Sequence, residues 1–101
     1  MKNNDLIKLH VEQLQNKNQF VIYYNEKESG IGVVAFQSYR TLIAYLRGGM
    51  LYINWNYWDY SKTTLKHLKI FINEYTSFTY ESKGQFLGLI KTCERVLTFE
   101  E

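Results

Sequence analysis

Chemistry in this chain would have to come from the segment Trp58-Asp59-Tyr60-Ser61-Lys62-Thr63-Thr64-Leu65-Lys66-His67. It packs an acid, three hydroxyl side chains from Ser61 to Thr64, two lysines and a histidine into ten positions. The segment reads as the entry to a helix, where unpaired backbone N–H groups and the positive end of the helix dipole attract anions. Asp59 or Ser61 is suited to cap that end. Thr63 and His67 then fall four residues apart on one helical face, and an open end of this kind would hold a phosphate or a carboxylate. The competing reading is structural: a cap and a satisfied histidine that fix a strand-to-helix turn.

Catalytic arrangements are not found. His10 and His67 are the only histidines, and neither stands in metal-ligand spacing with the single cysteine, Cys93. Asp59, Ser61 and His67 belong to one helix start, with no oxyanion hole or separately held nucleophile to make them a triad. Gly30-Ile31-Gly32 opens a strand and lacks the context of a phosphate loop. Cys93 lies in an apolar helical pattern and reads as a buried structural thiol. No catalytic residue, metal or cofactor is expected, so the chain reads as a binding protein.

A second group of candidates comes from strand alternation. In Thr41–Arg47, Leu42, Ala44 and Leu46 are expected to look inward, which sends Tyr45 and Arg47 to the other side. In Met50–Trp58, Leu51, Ile53, Trp55 and Tyr57 share one face, while Tyr52, Asn54 and Asn56 share the opposite one. An open sheet face carrying Tyr45, Arg47, Tyr52 and Asn54, joined by Tyr23, would let rings stack on flat groups and a guanidinium pair with an anion. Arg40, in the preceding turn, extends the cationic part. The alternative is a solvated face on which tyrosine appears because it fits strands.

The elements that position these residues follow from periodicity. Ile7, Val11 and Leu14 recur at helical spacing, so a helix is expected from about Asn4 to Asn16, capped by Asn3 or Asn4. Phe20–Tyr24 and Ile31–Gln37 then flank a polar, glycine-containing stretch, and Thr41–Arg47 and Met50–Trp58 flank Gly48-Gly49. Both are hairpin signals, giving a four-stranded antiparallel meander. Leu65, Leu68, Ile72 and Tyr75 line a second helix after Ser61, opposite a stripe of Lys62, Lys66, Lys69 and Asn73. A third helix begins at Ser82, with Gln85 completing a capping box, and runs through Phe86, Ile90, Cys93 and Leu97. Gly88 inside it implies close packing against another element. The expected architecture is α+β, one domain over residues 1–101: an N-terminal helix, the meander, and two C-terminal helices on one sheet face.

Composition sets the outer limits. The 101 residues are enough for one core, and aromatics reach 17%, with nine Tyr, six Phe and two Trp. Those rings serve either a small core of bulky side chains or a recognition surface. The net charge is only +2, but Arg40 to Lys69 holds five basic residues against Asp59 alone. That asymmetry favours anions, yet it is too small for a strong DNA binder. No apolar run approaches membrane-spanning length and no signal sequence opens the chain, so a cytoplasmic protein is expected.

Two stretches also carry a resemblance. Ser38-Tyr39, Thr41 and Ile43-Ala44, followed by Tyr60-Ser61, Thr63-Thr64 and Lys66-His67, resemble the "SYxTxIA" and "YSxTTxKH" motifs of small uncharacterised proteins from phages and prophages of low-GC Gram-positive bacteria. The resemblance covers roughly residues 33 to 75. It implies a phage accessory protein acting against host defence, with no established activity to carry over. Two functions are then expected: sequestration of a nucleotide-type immune signal by Arg40, Tyr45, Arg47, Tyr52, Asn54, Thr63 and His67, or direct blocking of a host defence protein. Weak nucleic-acid binding through the lysine stripe is a third, and a homo-oligomer formed through the open sheet a further possibility.

Overall fold

The computed structural model describes residues 5–101. It overturns the expected four-stranded meander behind an N-terminal helix: the chain forms a six-stranded mixed sheet with two helices. The strands are β1 (Leu6–Gln13), β2 (Gln19–Glu26), β3 (Gly32–Ser38), β4 (Thr41–Arg47), β5 (Met50–Asn54) and β6 (Val96–Phe99), lying in the sheet in sequence order. Helices α1 (Lys62–Tyr75) and α2 (Lys83–Thr92) connect β5 to β6. The first five strands are antiparallel, and β6 is parallel to β5.

The expected first helix is β1; its proposed cap at Asn3 or Asn4 lies outside the described residues. The spacing of Ile7, Val11 and Leu14 fits a helix, but Ile7, Leu9 and Val11 also fit period two. Turn chemistry decides between them. Asn16 folds the chain back by accepting from Gln19 N at its carbonyl and from Asn18 N at its side chain, which sets β1 against β2 from Leu6↔Glu26 to Gln13↔Phe20. The expected third helix also stops early. Cys93 ends α2, its N–H donating to Leu89 O, and the β-branched and aromatic run after Arg95 pairs with β5, with Leu51 N donating to Arg95 O and Trp55 N to Phe99 O. An edge strand's unpaired backbone thereby gains a partner.

Both helices lie on one face of the sheet. Val21, Phe36, Ala44, Leu51, Ile53 and Val96 meet Leu68, Phe71, Ile72 and Phe86 in the core. Phe71 stacks on Phe36 with ring centroids 5.8 Å apart. Each fully buried side chain of this size contributes roughly 1.5–3 kcal/mol. Ser61 caps α1, its Oγ accepting from Thr64 N at 3.1 Å. Ser82 caps α2 by accepting from Gln85 N. Asn73, expected on a solvated stripe, clamps the interhelix loop: it donates to Tyr80 O at 3.0 Å and accepts from Tyr80 N at 2.9 Å. Among the described residues Gly88 has no neighbour within 4 Å of an added Cβ, so close packing does not account for it.

One irregularity re-sorts the sheet faces. Phe36 pairs with Ala44 and Gln37 with Leu42, leaving Ile43 as an extra residue in β4. Such a bulge breaks strict alternation. Ile43 and Ala44 both join the core, and Leu42, expected inward, reaches the uncovered face.

Candidate functional site

The uncovered face is built around one row of paired residues: Ile22, Ala35, Tyr45, Tyr52 and Leu97 lie side by side across β2 to β6. Antiparallel neighbours on one face stand close enough for direct side-chain contact. Tyr45 and Tyr52 therefore stack, with centroids 4.6 Å apart and planes 12° from parallel. Phe99 of β6 leans on Tyr45 at 5.4 Å. Burial and the neighbouring Tyr52 raise the Tyr45 hydroxyl's pKa, so it stays a neutral donor. Beside this stack is a hollow of about 290 Å³, with Ile22, Ala35 and Leu42 among its walls and Tyr24, Gln37, Arg40 and Glu101 supplying the polar groups.

Of the seven residues expected to bind a ligand, Arg40 lines this hollow, and Tyr45 and Tyr52 stand in the paired row on the same face. Arg47 shares the face but is already occupied. Its Nε donates to Glu26 Oε2 at 2.6 Å and its Nη2 to Glu26 Oε1 at 2.9 Å. This fork, together with a hydrogen bond from Ser29, holds the Glu26 carboxyl down at about 2.

The other three are elsewhere. Asn54 is buried, donating to Leu42 O at 2.8 Å and accepting from Asn56 N, so it fixes the end of β5. Thr63 offers its carbonyl to His67 Nδ1 at 2.8 Å on the helix side of the sheet. His67 is buried, and its Nε2 has no protein partner among the described residues. Tyr23, expected on the open face, packs against the core and donates to Glu12. Burial, and then that bond, raise its hydroxyl pKa to about 12.

Sequence reasoning missed Tyr24, Glu101 and Phe99. Tyr24 follows from correct alternation along β2. Phe99 and Glu101 depend on β6, which a helix through Leu97 conceals.

The two motif segments meet on the helix side. Ser38 and Thr64 share a buried hydrogen bond of 3.0 Å, and Ser61 Oγ donates to Thr64 Oγ1 at 3.1 Å. Gln19, which pairs with Ser38 across β2 and β3, is fully buried with neither amide atom hydrogen-bonded among the described residues. This cluster anchors the start of α1 to the end of β3, and Gln19, Ser38 and Thr64 within it are buried.

Fold and surface together define a class: a mixed six-stranded sheet covered by helices on one face, with an aromatic face left open. The chain belongs to a family of unknown function, DUF8033, whose model matches residues 9–88. No curated protein and no solved structure matches it significantly. No helix among the described residues is long and apolar enough to cross a membrane.

Proposed function

We propose that the protein is a non-catalytic binding protein that captures a planar, anionic ligand of the nucleotide type on its open sheet face. In the setting implied by the phage-family resemblance, that activity sequesters a nucleotide immune signal in the cytoplasm of the host cell. The observation that carries the reading is that the Tyr45–Tyr52 stack and the hollow lined by Arg40 lie on one sheet face, with Ala35, the register partner of Tyr45, in the hollow's wall. Exposed rings on a sheet are a recurrent platform for bases, because every base has a π face. A guanidinium at the rim is the group best matched to phosphate. The hollow stands at the small end of ligand pockets, which run from roughly 300 to 1,000 Å³. It therefore suits one base or a mononucleotide unit, with any second unit lying on Tyr52 and Phe99.

The test is isothermal titration with mononucleotides and cyclic dinucleotides, repeated with Arg40→Ala and Tyr52→Ala. Saturable binding weakened by both substitutions supports the reading. Absence of heat across the panel, together with a host polypeptide retained from phage-infected lysate, would overturn it.

The second reading, direct inhibition of a host defence protein, is favoured by a separate observation. Val11 and Leu97 are exposed on the outer strands of the same sheet, which extends the aromatic strip toward the breadth of about 800 Å² per partner that a protein interface needs. Nucleic-acid binding through the lysine stripe is the weaker reading, because Lys69 is already held by Glu81 at 3.3 Å.

A further inference from the structure

Three tyrosines surround a second, smaller hollow on the helix side, at the end of the sheet where the β3–β4 turn meets the chain entering α1. It measures about 160 Å³ and is lined by Ser38, Tyr39, Thr41, Ile43, Tyr57 and Tyr60. Ser38 and Ile43 are buried, whereas Tyr39, Tyr57 and Tyr60 are 50%, 39% and 67% exposed. The tyrosines are thus available walls around a closed base.

Two of the walls are set against each other, and the backbone of the third is fixed. Tyr57 and Tyr60 have centroids 6.4 Å apart and planes inclined at 61°, which makes them two sides of a corner. Tyr39 stands in the left-handed region with φ of 56°. An aromatic residue adopts that conformation only where its surroundings enforce it. The enforcement is a 2.6 Å hydrogen bond from Tyr39 N to Asn18 O, which ties the turn to the β1–β2 loop.

The lining also selects by charge. It contains no lysine or arginine, and Arg40, next to Tyr39 in sequence, lines the hollow on the other face. An anion would find no countercharge here, whereas ring faces carry negative potential and attract a cation stripped of water. We infer that Tyr39, Tyr57 and Tyr60 form an aromatic cage for a quaternary ammonium head group, of the trimethylammonium type found in choline or trimethyl-lysine. The hollow is well below nucleotide size and suits one such head.

The test uses NMR titration of the labelled full chain with tetramethylammonium chloride, choline and a trimethyl-lysine peptide, at ionic strength matched with NaCl. The neutral carbon isostere of choline, 3,3-dimethylbutan-1-ol, is the control. Shifts at Tyr39, Thr41 and Tyr60 amides with the three onium probes, and at least roughly tenfold weaker binding of the isostere, are expected. Tyr60→Leu should weaken choline binding roughly tenfold, Tyr60→Phe should retain it, and Tyr45→Ala on the opposite face should leave it unchanged. Choline and the peptide binding alike identifies a free head group as sufficient; tighter peptide binding identifies a modified protein as the source. Equal binding of the isostere, or no shift with any onium probe, overturns the cage.

Discussion

Ser38 and Thr64, 26 residues apart, share a 3.0 Å hydrogen bond in the protein interior, so the turn that ends β3 and the first turn of α1 are a single structural unit. Ser61, the α1 cap, is tied to the same threonine by its hydroxyl. Thr64→Val should destabilise the fold by roughly 1–3 kcal/mol, because it leaves the buried Ser38 hydroxyl unpaired, and Ser38→Ala should cost less, because Thr64 Oγ1 keeps Ser61 Oγ as a partner. The double variant should cost clearly less than the sum, as expected for groups in direct contact. Urea denaturation of the four proteins measures the coupling, and strict additivity would show that the two hydroxyls act separately.

Gln19 is an opposite case. Its amide is fully buried and unpaired within the described protein, a state that carries a desolvation penalty of roughly 1–3 kcal/mol. Gln19→Leu, similar in volume, should therefore raise the urea midpoint. A lower midpoint would mean that the amide is satisfied in solution.

The Arg47–Glu26 fork gives the pH dependence a sign. Glu26 has a folded pKa of about 2 against an ordinary 4.5. A depressed carboxyl contributes stability that is fully present above its unfolded pKa and is lost as pH falls through the folded one. The native protein should lose this contribution between about pH 4.5 and pH 2. Glu26→Gln should flatten the stability curve across that window. Thermal melts at closely spaced pH values measure it, and an unchanged slope would refute the assignment.

Arg40 and Glu101 share one hollow with opposite charges. For an anionic nucleotide, Arg40→Ala should weaken binding and Glu101→Gln should strengthen it, each by a few-fold to about tenfold, as suits exposed charges. Tyr45→Ala should cost roughly 1–3 kcal/mol through lost stacking. Arg47→Ala should have a smaller effect on affinity than Arg40→Ala, because its guanidinium is already committed. Titration calorimetry distinguishes these outcomes.

Strand β6 can be probed through its neighbour. The amides of Leu51 and Trp55 donate to Arg95 and Phe99 carbonyls, so both should exchange slowly with deuterium. Val96→Ala removes buried methyl groups and should cost about 2 kcal/mol, with faster exchange at those two amides. Fast exchange in the unmodified protein would argue against the sixth strand.

What the sequence discloses follows from how local the determining contacts are. Gly48-Gly49, with φ of 58° and 77°, and the Ser61 cap are written in turn and capping chemistry and are legible at their positions. Strand β1 is ambiguous because its apolar residues satisfy two periods, and pairing with β2 decides between them. Strand β6 depends on a partner distant in sequence, so the apolar seam from Phe86 to Leu97 reads as one helix when Cys93 in fact ends it. The candidate site inherits these limits. Tyr45 and Tyr52 are visible by alternation, the Ile43 bulge hides Leu42, and no local pattern reveals that Glu26 occupies Arg47 or that Asn54 is buried against the Leu42 carbonyl.

The parallel pairing of β5 with β6 has a kinetic consequence. The first five strands close through short hairpins, whereas β6 reaches β5 only across the whole two-helix connection. Contacts that span such sequence separation slow folding and form late. Phe99 and Glu101 belong to this segment, so the open face is complete only when β6 is paired. The same segment can reopen while the hairpins persist, since local unfolding proceeds by contiguous units. A ligand that touches Phe99 would bind only the closed form and hold the sheet shut, adding protection against proteolysis at this strand in proportion to its occupancy.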